Sequence, residues 1–234
     1  AMEVTASGIP WNFSPVLDVA RDARWPRFWE TFGEAPKLVS DMGVAMVKGY
    51  QEGPSPIAAT LKHYVGYSRP LTGKDRTPAW IPERQLRQIF IPPFAAAIDA
   101  GAASIMVNSG DVNGIPVHVD HHILTDILRD ELGFEGMVVT DWEDIKYLFS
   151  RHMVAADYKD AIDMAINAGI DMSMVPTDLE FPVLLAELVR EGRVTEARMD
   201  ESVRRILAMK YDLGLFETGG VPPSMADYPE KSTL

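Results

Sequence analysis

At 234 residues, 47% apolar and 24% charged, the chain has the size and composition of one globular domain, which excludes the disordered and fibrous classes. Acidic residues number 34 against 22 basic ones, and the formal charge of -12 repels nucleic-acid backbones and anionic lipid surfaces. No apolar run approaches the roughly 20 residues of a membrane span, and the absence of cysteine excludes disulfides, thiolate chemistry and cysteine-ligated metals together.

From the amino end, Met2-Glu3-Val4 reads as the tail of a helix running into Ser7-Gly8. Five short apolar, β-branched runs follow, at residues 13–19, 57–62, 103–108, 136–141 and 170–174, each beside a turn-forming Gly, Pro or Asn. Segments of helical period alternate with them. Residues 34–50 place Leu38, Met42, Ala45 and Val47 on one stripe, and residues 122–132 do the same with Ile123, Ile127 and Leu128. Pro92-Pro93 divides the helical stretch 83–100, because proline lacks a donor and clashes with the preceding turn. Residues 157–167 end at Ala168-Gly169 and residues 196–211 at Asp212-Leu213-Gly214, both glycine stop signals. The alternation predicts an α/β fold on a parallel sheet. After Thr218 the chain turns rich in Pro, Gly and Ser and reads as a linker leading elsewhere, which suggests a fragment of a longer protein.

Parallel α/β folds gather function where strands end. The five strand ends offer Asp18 with Arg21, Arg24 and Arg27; Lys62 with His63; Asn108 with Ser109; Asp141 with Trp142; and Asp171 with Ser173 and Met174. Carboxylates, cations, polar donors and an aromatic wall on one rim suit a sugar, which offers hydroxyls to hydrogen-bond and an apolar face to stack. Asp141 precedes a helix beginning near Glu143, so an N-cap role competes with a chemical one. The adjacent Trp142 favours chemistry, since an indole at a strand-helix junction needs something to line.

The segments Phe13-Ser14-Pro15-Val16-Leu17-Asp18-Val19, Arg24-Trp25-Pro26-Arg27, Lys62-His63-Tyr64, Val112-Asn113-Gly114 and Val139-Thr140-Asp141-Trp142 stand in the order and spacing of glycoside hydrolase family 3. From about Gly8 to about Glu217 the chain resembles the β-glucosidase branch of that family. The resemblance implies a partial (β/α)8 TIM-like barrel with parallel strands over 1–217 and a linker-like tail over 218–234. It implies a retaining, exo-acting β-glucosidase in which Asp141 attacks the anomeric carbon of a terminal β-linked glucose. Lys62, His63 and Arg27 would bind sugar hydroxyls, Trp142 would wall the pocket, and Arg21 and Arg24 would brace the loop with Asp18, Asp22 and Glu30 balancing the cations. The strand written Met-Thr-Ala-Tyr in many members reads Met106-Val107-Asn108-Ser109 here, so Met106 and Ser109 join the candidate substrate-binding residues, with Ser109 at the Tyr position.

The expected partner is a β-glucoside or oligosaccharide, with no cofactor, no nucleic acid and no membrane. The family's sugar-binding Asp on an earlier strand and its acid/base Glu on a second α/β domain beyond the barrel have no counterpart in these residues. Weak or absent activity of the chain alone is therefore expected, as is a possible oligomer. Family resemblance favours a periplasmic or secreted location. A β-N-acetylglucosaminidase of the same family is disfavoured because the loop 66–76 holds no histidine. A sugar-binding piece without turnover is the remaining alternative. A metal site at His118, His121 and His122 is disfavoured, since adjacent histidines point apart on a helix and no i,i+4 carboxylate is taken to complete a site.

Overall fold

The computed structural model describes residues 1–53 and 55–219, so most of the linker-like tail expected over 218–234 lies outside the described residues. Its strands are β1 (Thr60–Tyr64), β2 (Ser104–Val107), the two short arms of a hairpin, β3 (Asp111–Val112) and β4 (Ile115–Pro116), and β5 (Met137–Val139). The helices are α1 (Met2–Ala6), α2 (Pro36–Gln51), α3 (Glu83–Gln85), α4 (Pro92–Asp99), α5 (Asp144–Ser150), α6 (Tyr158–Ala168), α7 (Glu180–Arg190) and α8 (Glu196–Asp212). Wider i→i+5 helical segments occupy Leu86–Phe90 and His122–Glu131.

β1, β2 and β5 form a parallel sheet in that order, with Leu61 opposite Ile105 and Ile105 opposite Val138. The other two predicted strands flank it as extended segments joined by single parallel bridges, Val16 to Lys62 on one side and Met172 to Val139 on the other. Five parallel segments therefore stand side by side in chain order, which makes an open, partial (β/α) barrel. Pro15 explains part of the irregularity at the first edge, because it offers no N–H to a ladder. The strands read as continuous apolar runs because both faces are covered. Leu61, Ile105 and Val138 join Leu17, Ile127 and Ile162 in the main core between sheet and helices.

Two helical expectations need correction. In α2 the buried residues are Val39, Gly43 and Val47, while Leu38 and Met42 of the predicted stripe are 47% and 40% exposed and Ala45 also faces solvent. The helix comes so close to the sheet layer that a Cβ at Gly43 would lie 2.6 Å from Leu17 Cδ2. The smallest residue sets the contact face, and a hydrophobicity pattern gives glycine no weight. Helix α7 was not anticipated, although Asp178 accepts the Glu180 N–H at 2.9 Å, a local helix-start signal. The predicted break at Pro92-Pro93 falls where expected, with Pro92 in the first turn of α4. Gly169 and Gly214 follow α6 and α8 with positive φ, as stop signals require.

Candidate active site

Asp141 leaves the carboxyl end of β5 and is 9% exposed. Its Oδ1 accepts the Trp142 N–H at 2.6 Å, and its Oδ2 accepts from Ser109 Oγ at 2.9 Å. The same Oδ2 lies 3.6 Å from the Arg76 guanidinium and 3.9 Å from His63 Nε2. Helix α5 begins only at Asp144, with Glu143 as the residue before it, so Asp141 does not cap the helix with its side chain. Burial on its own would push the Asp141 carboxyl up. His63, the Trp142 N–H, Arg76 and the Ser109 hydroxyl together outweigh it and hold the group below the ordinary carboxylate range.

His63 is aimed by Asp18. One buried carboxylate oxygen, Oδ2, takes both the His63 backbone N–H at 3.1 Å and ring Nδ1 at 2.8 Å, which leaves Nε2 facing Asp141. Asp18 therefore orients the ring rather than balancing the arginines, as the sequence had suggested. Tyr67 presents an edge to His63 with centroids 4.7 Å apart, and the Arg27 guanidinium lies 5.4 Å above the Tyr67 ring. Arg27 is held by Glu30 through two contacts of 2.8 Å. Arg24 pairs with Asp22 as a loop brace. Lys62 is half-buried. Burial and the neighbouring Arg27 push its ammonium below its ordinary range, against the pull of Glu30, Asp141 and Asp18. Lys62, His63, Arg27, Ser109 and Asp141 thus share one rim, with Trp142 beside them at 48% exposure. Met106 packs with Met137 and Val139 in a small second apolar cluster.

Two groups, Arg76 and Asp144, escaped the sequence reading, and a third, His118, was weighed there only as a metal ligand. Arg76 ends the loop 66–76 and reaches Asp144 at 3.2 Å as well as Asp141. Asp144, three residues after Asp141, is 2% exposed and contacts Ser109 Oγ at 2.5 Å. His118 is buried, with Nε2 3.7 Å from Asp144. A carboxylate three residues beyond a strand-end Asp, ahead of an apolar helix, was the available signal for Asp144.

Asp171 was grouped with the rim and does not belong there. Its Oδ2 accepts the Val138 N–H at 2.9 Å and Arg129 at 2.8 Å, and its Oδ1 accepts Ser202 at 2.8 Å and Arg205 at 2.9 Å. It ties β5 to α8. His121 and His122 both pair with Asp126, at 3.2 and 3.1 Å, so an i,i+4 carboxylate is present after all. Among the described residues no group of three or more His, Asp or Glu could hold a metal ion, and no helix is long and apolar enough to cross a membrane. At the opposite end of the sheet a cavity of about 420 Å³ opens among Gln51, Ala58, Ala103, Gly136 and Met209, and it touches none of the rim residues.

With this geometry in place, comparison with known proteins is specific. The profile described as "Glycosyl hydrolase family 3 N terminal domain" matches residues 1–209. A lysosomal beta glucosidase of Dictyostelium discoideum is 53% identical over 96% of the chain, and a periplasmic beta-glucosidase of Salmonella typhimurium is 39% identical over 92%. The chain spans 28% of the length of each. Among solved structures, a β-glucosidase from Erythrobacter marinus superposes with a TM-score of 0.89 at 36% identity, covering 95% of this chain and 30% of that one. One from Listeria innocua, in complex with glucose, gives 0.87 at 36% identity over 92% and 30% of the two chains.

Proposed function

The chain belongs to glycoside hydrolase family 3, and on that premise we propose that it carries the nucleophile of a retaining, exo-acting β-glucosidase, with Asp141 as the attacking carboxylate. One observation carries the proposal: a buried carboxylate is kept ionised at a strand end, between His63 and Arg76, with an indole at its side. Asp141 attacks the anomeric carbon from the face opposite the leaving oxygen and forms a glycosyl-enzyme ester. Water then cleaves the ester with a second inversion, so the configuration is retained. Lys62, His63 and Arg27 supply donors to the sugar hydroxyls, and bonds of that kind gain strength as positive charge develops on the ring.

Leaving-group protonation needs a different residue. Among the described rim carboxyls, Glu30 is held below its ordinary range by Arg27, Asp18 is closed in by His63, and Asp144 is 2% exposed and turned onto Ser109 behind Asp141. The proton donor is accordingly assigned to the second α/β domain that the family resemblance implies, and an acid of this kind contributes about 100- to 10,000-fold. Exposed Trp142 stacks against the sugar. Trp142→Ala should raise KM by about 3- to 10-fold while leaving the unfolding midpoint nearly unchanged, since aromatic packing is worth on the order of 1 kcal/mol. An equal loss of binding and stability would make Trp142 a packing residue.

The deciding experiment treats the full-length protein with a 2-deoxy-2-fluoro-β-glucosyl fluoride, whose leaving group needs no acid. Mass spectrometry of the digest should place one sugar adduct on the peptide holding Asp141. An adduct on another carboxylate, or none at all, refutes the assignment.

A further inference from the structure

Ser109 Oγ stands 2.5 Å from Asp144 Oδ2 and 2.9 Å from Asp141 Oδ2, both within hydrogen-bond range. A hydroxyl owns a single hydrogen, and an ionised carboxylate only accepts. Two ionised carboxylates cannot both be satisfied by Ser109, so one of the acids brings its own proton. The surroundings of the two differ. Asp141 faces His63 and Arg76 and already accepts the Trp142 N–H, all of which favour an anion. Asp144 is 2% exposed, and its second oxygen has Arg76 at 3.2 Å, a cation that it shares with Asp141. One carboxylate and one guanidinium cancel, whereas a second buried anion would have to share that guanidinium, with only the exposed Arg151 beyond it.

We propose that Asp144 is held as a neutral carboxylic acid that donates its proton to Ser109 Oγ, so that the Ser109 hydroxyl in turn donates to Asp141. Asp144 and Ser109 are then positioning residues that fix the rotamer of the nucleophile. The inference rests on the reading of Asp141 as nucleophile and deepens it. The groups facing Asp144 are Asp141 from the end of β5, Arg76 from the loop before α3, His118 from the turn after β4 and Arg151 from the end of α5. Burial pushes Asp144 up to about 7. Ser109 opposes the rise, the like charge of Asp141 adds to it, and Arg76 and Arg151 oppose it. Burial pushes His118 down to about 3, so its ring is neutral and adds no charge near neutral pH.

When Asp144 loses its proton, the Ser109 hydrogen is drawn to the nearer anion, and Asp141 loses the donor that fixes it. The test uses full-length protein carrying aspartate ¹³C-labelled at the side-chain carboxyl. An NMR titration should show one aspartate with a midpoint near neutrality, absent in Asp144→Asn. In parallel, the rate of labelling by the fluorinated glycoside should fall about tenfold through neutral pH in the wild type, the worth of one hydrogen bond to a charged group. Asp144→Asn keeps a neutral donor, so its rate should be retained and show no such inflection. Ser109→Ala cuts the chain in the middle and should be slow at every pH without the inflection, which serves as a second variant if Asp144→Asn does not fold. A merely structural role for Asp144 would leave the pH profile of the surviving folded enzyme in place. No aspartate titrating near neutrality, or an inflection that persists in either variant, overturns the proposal. If the protein takes no label at all, the nucleophile assignment falls, while the NMR titration still decides the protonation of Asp144.

Discussion

Replacing Asp141 by alanine should lower hydrolysis of an aryl β-glucoside by the full-length enzyme about 10⁴-fold or more, because the covalent route loses its first bond-forming atom. The fold should survive. Asp141 contributes no cap to α5, and Arg76 and Ser109 keep Asp144 as a partner when it is gone. The far-ultraviolet circular dichroism should therefore match the wild type, which separates a chemical defect from unfolding. Azide supplies the sharper reading. In the alanine variant it can enter the space left by the carboxylate and attack the anomeric carbon from that face, so rescue should give the α-glucosyl azide. An azide product of β configuration would mean that the residue removed was an acid/base and not the nucleophile. Activity within about tenfold of the wild type would leave Asp141 without a catalytic role.

The surroundings explain why one carboxylate is singled out. Four acids stand in or beside this rim, and each is committed differently: Asp18 to His63, Glu30 to Arg27, Asp144 to Ser109, and Asp141 to donors that stabilise its charge without closing over it. Asp141 and Glu30 are both held below the ordinary carboxylate range, but Glu30 is exposed and paired with Arg27, whereas Asp141 is buried at a strand end with the half-exposed Trp142 beside it. The half-buried Lys62 lies in the field of Asp141, Asp18 and Glu30, and burial has already partly stripped its ammonium of water.

Much of this is legible in the sequence. The five parallel segments, the glycine stops of α6 and α8, and the convergence of Lys62, His63, Arg27 and Asp141 follow from strand-end logic and from motif spacing. What escaped the sequence depends on distances that spacing does not encode. Whether a strand-end Asp points to the rim or back under the sheet is decided by its partners, and Asp171 meets three arginines from elsewhere in the chain. Arg76 lies 65 positions before Asp141 and comes to it only through the loop that follows β1. In α2 the contact face is set by Gly43, a residue whose packing role is its lack of a side chain.

Asp171 carries the second large effect, and it concerns stability. Its side chain is fully buried and receives Arg129, Arg205, Ser202 and the Val138 N–H, with Arg198 slightly farther away at 3.4 Å. Arg129 is itself only 10% exposed. Asp171→Ala removes one anion and strands buried cations together with a strand N–H, the costly way to break an ion pair, at about 3 to 5 kcal/mol. For a chain of this length each kcal/mol is worth roughly 2 to 4 °C, so thermal unfolding should shift down by roughly 6 to 20 °C. Asp171→Asn keeps one acceptor oxygen, enough for the Val138 N–H or for Ser202 but not for both, and it cannot neutralise the arginines, so it should fall between Asp171→Ala and the wild type. The folded fraction of either variant should still take the fluorinated sugar on Asp141 at a rate close to the wild type, because the groups that Asp171 holds, Arg129, Val138, Ser202 and Arg205, are none of the rim residues. A drop below about 1 kcal/mol in Asp171→Ala would mean that the arginines find water or other acids when it is gone. A selective loss of labelling with the unfolding midpoint intact would return Asp171 to the rim where strand-end logic first put it.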